Sequence, residues 1–147
     1  MKMYNLLLML FVVILVAGCS SNNTQIQTGE EKGKSCENLL KDIHSDIELL
    51  DSDIKCTGTG KSGTMISQQL TYPKNKYDTL ADKYEALLKS KGWQSMKRTD
   101  IASDAGFKEI KIQGQKGDTY IVLEFADFGT STFGSKTGGK PVGWNYK

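Results

Sequence analysis

A short apolar run near the amino terminus limits how much of this chain can form a domain. Residues 6–16 are uninterruptedly apolar, Lys2 precedes them, and the small residues Ala17 and Gly18 follow. A membrane-spanning helix needs roughly 20 apolar residues, so this run is too short to span and is typical of an export signal. Removing residues 1–18 leaves about 129 residues, the size of one modest domain.

Four residues at the end of this run, Val16, Ala17, Gly18 and Cys19, resemble the lipobox of bacterial lipoproteins. The resemblance covers only the leader, about an eighth of the chain. It implies a diacylglyceryl group on the Cys19 thiol, removal of residues 1–18 and often a further acyl chain such as palmitate. Two or three acyl chains hold a protein on a bilayer stably. The resemblance therefore implies that the membrane is a partner through the lipid on Cys19.

The residue after the lipobox bears on the expected location. Ser20 follows Cys19, and in lipoproteins of bacteria with two membranes a serine there usually accompanies sorting to the outer membrane. We expect a lipid-anchored protein of the cell membrane or outer membrane, facing the periplasm or the exterior. Val16 and the single basic residue Lys2 depart mildly from the usual pattern. A plain secretory signal with an incidental cysteine is the alternative, because small residues precede either cleavage site.

Two cysteines remain once Cys19 is assigned to the lipid. Cys36 and Cys56 form an even pair in an exported, oxidising setting, so we expect a disulfide between them. Closing a loop of about 21 residues would stabilise the fold by roughly 3 kcal/mol through the unfolded chain. A metal site or a reactive thiol is the alternative, but the chain has one histidine and no CxxC spacing. We predict no metal ligands and no cofactor.

Composition divides the mature chain into three parts. Residues 19–35 are rich in Ser, Asn, Thr, Gln, Gly and charge, which predicts a flexible tether that carries the lipidated Cys19. Residues 36–128 alternate between helical and strand patterns and form the predicted domain. Residues 129–147 are a Gly-rich tail, for which mobility is expected except at the aromatic end, where an edge strand is the alternative.

Hydrophobic periodicity predicts two helices in this domain. Apolar residues recur at three- and four-residue steps over residues 36–50 and 76–90, with charged residues on the opposite sides. Ser35 and Asn75 are the expected N-caps. Gly92 follows the second helix and is expected in the left-handed conformation that ends many helices.

Strand patterns complete the expected fold. A hairpin is predicted between residues 54–56 and 64–72, and a three-stranded meander over residues 93–98, 107–113 and 119–126. The predicted fold class is α+β, a two-layer domain in which two helices cover an antiparallel sheet made of the hairpin and the meander.

Charge and motif spacing argue against nucleotide and nucleic-acid binding. The net charge is +2 and falls to about +1 without the leader, and Lys and acidic residues are interspersed, so no nucleic-acid partner is expected. Residues 58–64 are rich in glycine, but a phosphate-binding loop needs a glycine where Lys55 stands. The run is interpreted as a plain turn.

Candidate catalytic residues are few. His44 is the one histidine of the chain, and a general base or metal ligand would need partners for which no suitable spacing exists. The acidic pair Asp51 and Asp53 is typical of solvated carboxylates, and no GxSxG elbow is present. We predict no catalytic residues and no enzyme activity; an envelope hydrolase using His44 and a carboxylate is the least favoured hypothesis.

Aromatic residues are the best candidates for partner contact, because flat rings bury much area at low entropic cost. Tyr120 is expected on the outward face of a strand, and Trp144 and Tyr146 lie on the tail, whereas Trp93 is assigned to the core. The sequence thus predicts a non-catalytic binding or accessory role with an envelope protein or cell-wall partner. One version is an immunity or inhibitor protein; the alternative is a cell-wall or polysaccharide binder.

Overall fold

The computed structural model describes Ile26–Gln27 and residues 34–139. The elements follow in the order β1 (Ile26–Gln27), α1 (Cys36–Ile43), β2 (Lys55–Ser62), β3 (Met65–Thr71), α2 (Tyr77–Ser90), β4 (Gln94–Ala102), β5 (Lys108–Lys116), β6 (Thr119–Ala126) and β7 (Thr130–Thr137). All neighbouring strands pair antiparallel. The predicted α+β class, with an antiparallel sheet and two helices, is confirmed.

Strand β7 lies at the centre of the sheet. The strand order is β1-β2-β3-β7-β6-β5-β4, so β7 joins the β2–β3 hairpin to the β4–β5–β6 meander. This differs from the expectation of a Gly-rich tail over residues 129–147. Strand alternation is present in Ser131, Phe133 and Ser135, but Phe133 is the one large apolar residue among them. Small polar residues in the other inward positions conceal the strand pattern.

Both helices cover the same face of the sheet, here called the inner face. Helix α1 contacts β2, β3 and β7, and α2 contacts β5 and β6. Buried side chains on the inner face are supplied by four strands: Leu70, Ile110, Ile112, Ile121, Leu123, Phe125 and Phe133. At the centre, the Tyr84 ring of α2 meets the Phe133 ring edge-on at a centroid distance of 4.8 Å. The contact between Tyr84 and Phe133 buries two large rings, which stabilises the packing of α2 on β7.

Helix α1 ends at Ile43, seven residues before the expected end of the helix over residues 36–50. His44 is extended, with φ of −165°, and the Ser135 hydroxyl donates a hydrogen bond of 2.6 Å to the Ile43 carbonyl. The Asp46 N–H donates to His44 Nδ1 at 3.1 Å and closes a turn. Ile47 lies in the loop after α1 and is still buried in the core. Its four-residue spacing from Ile43 therefore matches the pattern of a longer helix.

Two of the four helix ends follow the expected capping chemistry. The Ser35 side chain accepts a hydrogen bond from the Asn38 N–H, so the predicted N-cap of α1 is confirmed. Gly92 has a φ of +80° after α2, as expected for the left-handed conformation. Asn75 is not the N-cap of α2: it lies within a 3₁₀ turn, Lys74–Lys76, that leads into the helix.

The disulfide between Cys36 and Cys56 is confirmed and joins the first residue of α1 to β2. The two Cα atoms are 5.3 Å apart, and the sequence separation is 20 residues. A loop of this length contributes about 3 kcal/mol in the chain-entropy account. The bond fastens a helix of eight residues to the hairpin side of the sheet.

The glycine-rich run belongs mainly to a strand. Gly58 and Gly60 lie in β2, and of the three glycines only Gly63 lies in the hairpin turn, with a φ of +57°. A Cβ at Gly60 would come within 2.6 Å of the Ser67 hydroxyl, so glycine permits this close pairing. Strand β1 pairs along the other edge of β2, where Ile26 lies opposite Gly60. Part of the expected tether over residues 19–35 is therefore attached to the sheet.

Replacing Phe133 by alanine tests whether β7 is part of the core. Phe133 is fully buried between Tyr84 and Phe125, so we expect Phe133→Ala to lower the free energy of unfolding by about 3–5 kcal/mol in urea titrations. The matched control is Phe107→Ala, which removes an exposed ring and should cost less than about 1 kcal/mol. Equal losses for the two variants would contradict a central position for β7.

Candidate binding surface

The face of the sheet opposite the helices, here called the outer face, carries mainly small and polar side chains, and Tyr120 and Val122 are larger. Strand alternation and register place these residues on it: Ser67, Gln69 and Thr71 of β3; Thr130, Thr132, Gly134 and Lys136 of β7; Tyr120, Val122, Glu124 and Ala126 of β6; Glu109, Lys111, Gln113 and Gln115 of β5. Within residues 34–139, both helices lie on the inner face. The outer face is thus the broad surface that the described helices leave uncovered.

Two exposed aromatic rings stand at one end of the outer face. Phe107 lies before β5 and Phe128 after β6, with 40 % and 51 % of their surfaces exposed. Their rings meet edge-on at a centroid distance of 6.0 Å. The two turns are joined by the Lys108 N–H, which donates to an Asp127 carboxylate oxygen at 3.0 Å, and by the Asp127 N–H, which donates to the Lys108 carbonyl at 3.0 Å. One side-chain and one backbone hydrogen bond therefore hold the two turns together, with the two rings exposed beside each other.

A shallow cleft of about 140 Å³ adjoins Phe128 on the outer face. Ala126 and Phe128 form its apolar side, and the carboxylates of Glu109 and Glu124 are on its polar side. Glu124 is paired with Lys111 at 2.6 Å across the β5–β6 ladder. The cleft combines ring contact with hydrogen-bond acceptors, which is the composition of a site for a small polar group or a peptide side chain.

The predicted contact residue Tyr120 lies on the outer face but away from the phenylalanine pair. It is half-buried at the start of β6, opposite Gln115 and Lys136, whereas Phe128 follows the other end of β6. Six residue steps along β6 separate Tyr120 from Ala126, which corresponds to roughly 20 Å. Trp144, Tyr146 and the lipidation candidate Cys19 lie outside the described residues. Trp93 is buried, as predicted.

Sequence reasoning missed Phe107 and Phe128. Each is an isolated aromatic next to a turn, and such a residue is ordinarily expected to return to the core. What exposes them is the pairing of the two turns through Lys108 and Asp127, which are 19 residues apart in the chain. The sequence signal that would identify Phe107 and Phe128 is an aromatic residue beside each of two turns at the same end of a predicted meander.

His44 has a structural role in the turn after α1. Its ring stands edge-on against Trp93 at 4.9 Å, and its Nδ1 accepts the Asp46 N–H. The Asp46 carboxylate is 3.5 Å from His44 but also accepts hydrogen bonds from Trp93 Nε1 at 3.0 Å and Lys116 at 2.8 Å. A carboxylate thus lies beside His44, as a hydrolase would require, but both groups are engaged in holding the turn.

Burial and charge shift the pKa values of both groups downward. Burial lowers the pKa of His44, and the Lys116 ammonium adds to this effect, while Asp46 opposes it. Burial would raise the pKa of Asp46, but hydrogen bonds from Lys116 and Trp93 outweigh it and hold that pKa below its usual value. His44 is therefore neutral and Asp46 ionised at neutral pH.

The acidic pair Asp51 and Asp53 also has a structural role. Both carboxylates bind the Lys76 ammonium, at 2.9 Å and 2.7 Å. The Asp53 N–H and Lys76 lower the pKa of Asp51. Among the residues that the structure describes, no group of three or more His, Cys, Asp or Glu side chains could hold a metal ion.

Comparison with protein-family models, curated protein sequences and solved structures found no significant match to this chain. In the described part of the chain, neither helix has the length and apolar character needed to cross a membrane. The fold and the surface chemistry are therefore the basis for a functional proposal, together with the residues of the leader.

The lowered pKa of His44 predicts a loss of stability under mild acid. Because the unfolded chain takes up a proton on His44 more readily than the folded one, its contribution is complete above the unfolded value of about 6.5 and falls as the pH drops toward the folded value. We expect the free energy of unfolding to decrease from pH 7.5 to 5.5, and to decrease less in His44→Gln. The same slope in both proteins, measured by urea titration at each pH, would contradict this assignment.

Proposed function

We propose that this chain is a lipid-anchored protein of the bacterial cell envelope that acts by binding and not by catalysis. The proposal is carried by the sequence Val16, Ala17, Gly18 and Cys19 after a short apolar run, which resembles a lipobox. Cys19 becomes the lipidated amino terminus, and Ser20 favours the outer membrane in a host with two membranes. Acylation at this residue would keep the mature domain on the bilayer.

The anchor gives a physical mechanism for an accessory role. Confining a domain to a thin layer raises its effective concentration toward any partner in that layer without new contacts. A modest affinity at the domain surface is then sufficient for high occupancy. This suits an immunity or inhibitor protein that occludes a toxin or hydrolase delivered to the envelope.

The chemistry of the domain supports binding over catalysis. His44 and Asp46 are used in the turn beside Trp93, and Asp51 and Asp53 are used to hold Lys76. The exposed pair Phe107 and Phe128 offers a fixed apolar contact of the kind that carries much of the energy of protein interfaces. We propose this pair as a partner contact, beside the earlier candidates Tyr120, Trp144 and Tyr146.

Replacing Cys19 tests the anchor. We expect Cys19→Ala to leave the membrane fraction and to lose the acyl mass on its amino-terminal peptide, because the thiol that accepts the lipid is gone. Ser20→Ala is the matched control, since it keeps that thiol and should remain acylated and membrane-bound. Fractionation with mass spectrometry of the amino-terminal peptide checks both variants. A Cys19→Ala protein that stays on the membrane with the same lipid would contradict the proposal.

A cell-wall or polysaccharide ligand is the second candidate function. The observation that favours it is the cleft in which Phe128 faces the carboxylates of Glu109 and Glu124, since a sugar ring can contact an aromatic face while its hydroxyls donate to carboxylates. This ligand class would use the same end of the outer face as a protein partner. The two functions therefore differ in what is bound and not in where it binds.

Sedimentation with purified peptidoglycan tests this second function. We expect the wild type to pellet with peptidoglycan, and Phe128→Ala to lose on the order of 30-fold in affinity, as for a buried aromatic anchor. Trp144→Ala tests the candidate on the tail in the same assay. Met65→Ala is the control, because Met65 is exposed at the other end of the sheet. A wild-type protein that stays in the supernatant would rule out this ligand and leave the protein partner.

A further inference from the structure

The pairing of β1 determines at which end of the sheet the amino-terminal segment arrives. Ile26 lies opposite Gly60 and Gln27 opposite Thr59, so β1 runs antiparallel to β2. The first residue of β1 is therefore the one nearer the carboxyl end of β2, where the β2–β3 turn lies. We call this the entry end of the sheet; it consists of residues 61–65, residues 136–139 and the β5–β6 turn at residues 116–119, which includes the exposed Asp118. Phe107 and Phe128 are at the opposite end, here called the far end.

The distance from Cys19 to Ile26 is short compared with the sheet. Seven residue steps span at most about 25 Å when fully extended. As a flexible chain the same segment has a root-mean-square length of about 15 Å. Ile26 lies opposite Gly60, which is two residues (about 7 Å) from the entry end of β2 and five residues (about 17 Å) from its far end. The entry end is therefore well within the flexible length of this segment. To place the lipid at the far end, the segment would have to reverse its direction and extend beyond that length.

The entry end has the surface chemistry of a bilayer contact. Lys61 is exposed at the end of β2, and Met65 at the start of β3 has 45 % of its surface exposed. Lys136 of β7 is the direct cross-strand neighbour of Met65. Within the described residues neither of these two lysines is in an ion pair. The register places Lys136 beside Met65 on the outer face and Lys61, opposite Ile66, on the inner face. The entry end thus carries one available ammonium group on each face of the sheet.

We propose that the entry end rests on the bilayer, with Lys61 and Lys136 bound to anionic phospholipid headgroups and Met65 at the headgroup boundary. This inference rests on the proposed lipidation of Cys19. The consequence is a fixed polarity of the domain: the far end, with Phe107 and Phe128, points away from the membrane toward its partner. The domain then holds Phe107 and Phe128 at a fixed distance from the bilayer, where a partner can contact them.

The strength of this contact is limited and depends on salt. Each lysine near an anionic surface contributes about fivefold to binding, and the effect decays within a Debye length of about 10 Å at 0.1 M salt. Two lysines could not hold the domain alone. With a lipid already confining the entry end to the surface, about 25-fold is enough to orient it.

Lysine labelling on vesicles tests the orientation. Mature lipidated protein is reconstituted in phosphatidylcholine vesicles, with or without about one-third phosphatidylglycerol, and acetylated with an impermeant amine reagent. We expect anionic vesicles to slow acetylation of Lys61 and Lys136 by about fivefold, with little change at Lys55 and Lys108 of the far end. Equal rates at all four lysines would overturn the proposal. The digest also reports the mass of the Cys19 peptide: absence of lipid would overturn the anchor as well.

A pair of double variants separates headgroup binding from simple proximity. Peroxide oxidation of Met65 should be slowed on anionic vesicles, because its sulfur is then covered. Lys61→Gln with Lys136→Gln should restore an oxidation rate close to that on neutral vesicles. The matched control, Lys55→Gln with Lys108→Gln, removes the same charge from the far end and should leave Met65 protected. Equal protection in the two double variants would overturn the role of the entry-end lysines.

Discussion

The whole domain depends on burying one face of one sheet beneath two helices. That face is continuous only because β7 joins a hairpin to a meander that otherwise share no strand contact. Phe133 is where the two halves meet, since its ring contacts both Tyr84 of α2 and Phe125 of β6. The pairing is long-range, because β3 and β7 are separated by α2 and three strands, so the core can form only after most of the chain has been ordered.

Sequence patterns predicted the elements that are determined by nearby residues. They missed the features that depend on contacts between residues far apart in the chain. Helix α2, its end at Gly92 and the Cys36–Cys56 disulfide follow from periodicity, glycine conformation and cysteine parity. The end of α1 does not, because it is determined by the Ser135 hydroxyl on a strand 92 residues away. Strand β7 was missed for a related reason: its inward positions are mostly serines, which become buried only when neighbouring strands supply hydrogen-bond acceptors such as the Glu124 carbonyl for Ser131.

The candidate surfaces could be predicted only in part for the same reason. Alternation correctly suggests that Tyr120 lies on a different face from Ile121, but not that the other end of the sheet carries an exposed aromatic pair. Phe107 and Phe128 are brought together by two turns that are distant in sequence, so no local pattern contains them. His44 could have catalytic potential and does lie beside the Asp46 carboxylate. However, Asp46 accepts hydrogen bonds from Trp93 and Lys116, and the His44 ring packs against Trp93, so both groups have structural roles.

The disulfide at the first turn of α1 has a consequence for the order of events in the cell. An isolated helix of eight residues has no independent stability in water, so α1 depends on its attachment to the sheet. In a reducing cytoplasm that covalent attachment is missing, and the nascent chain remains less compact there. If the chain is exported as proposed, Cys36 and Cys56 would be oxidised to the disulfide only after the chain has crossed the membrane. Translocation would therefore precede the attachment of α1 to the sheet.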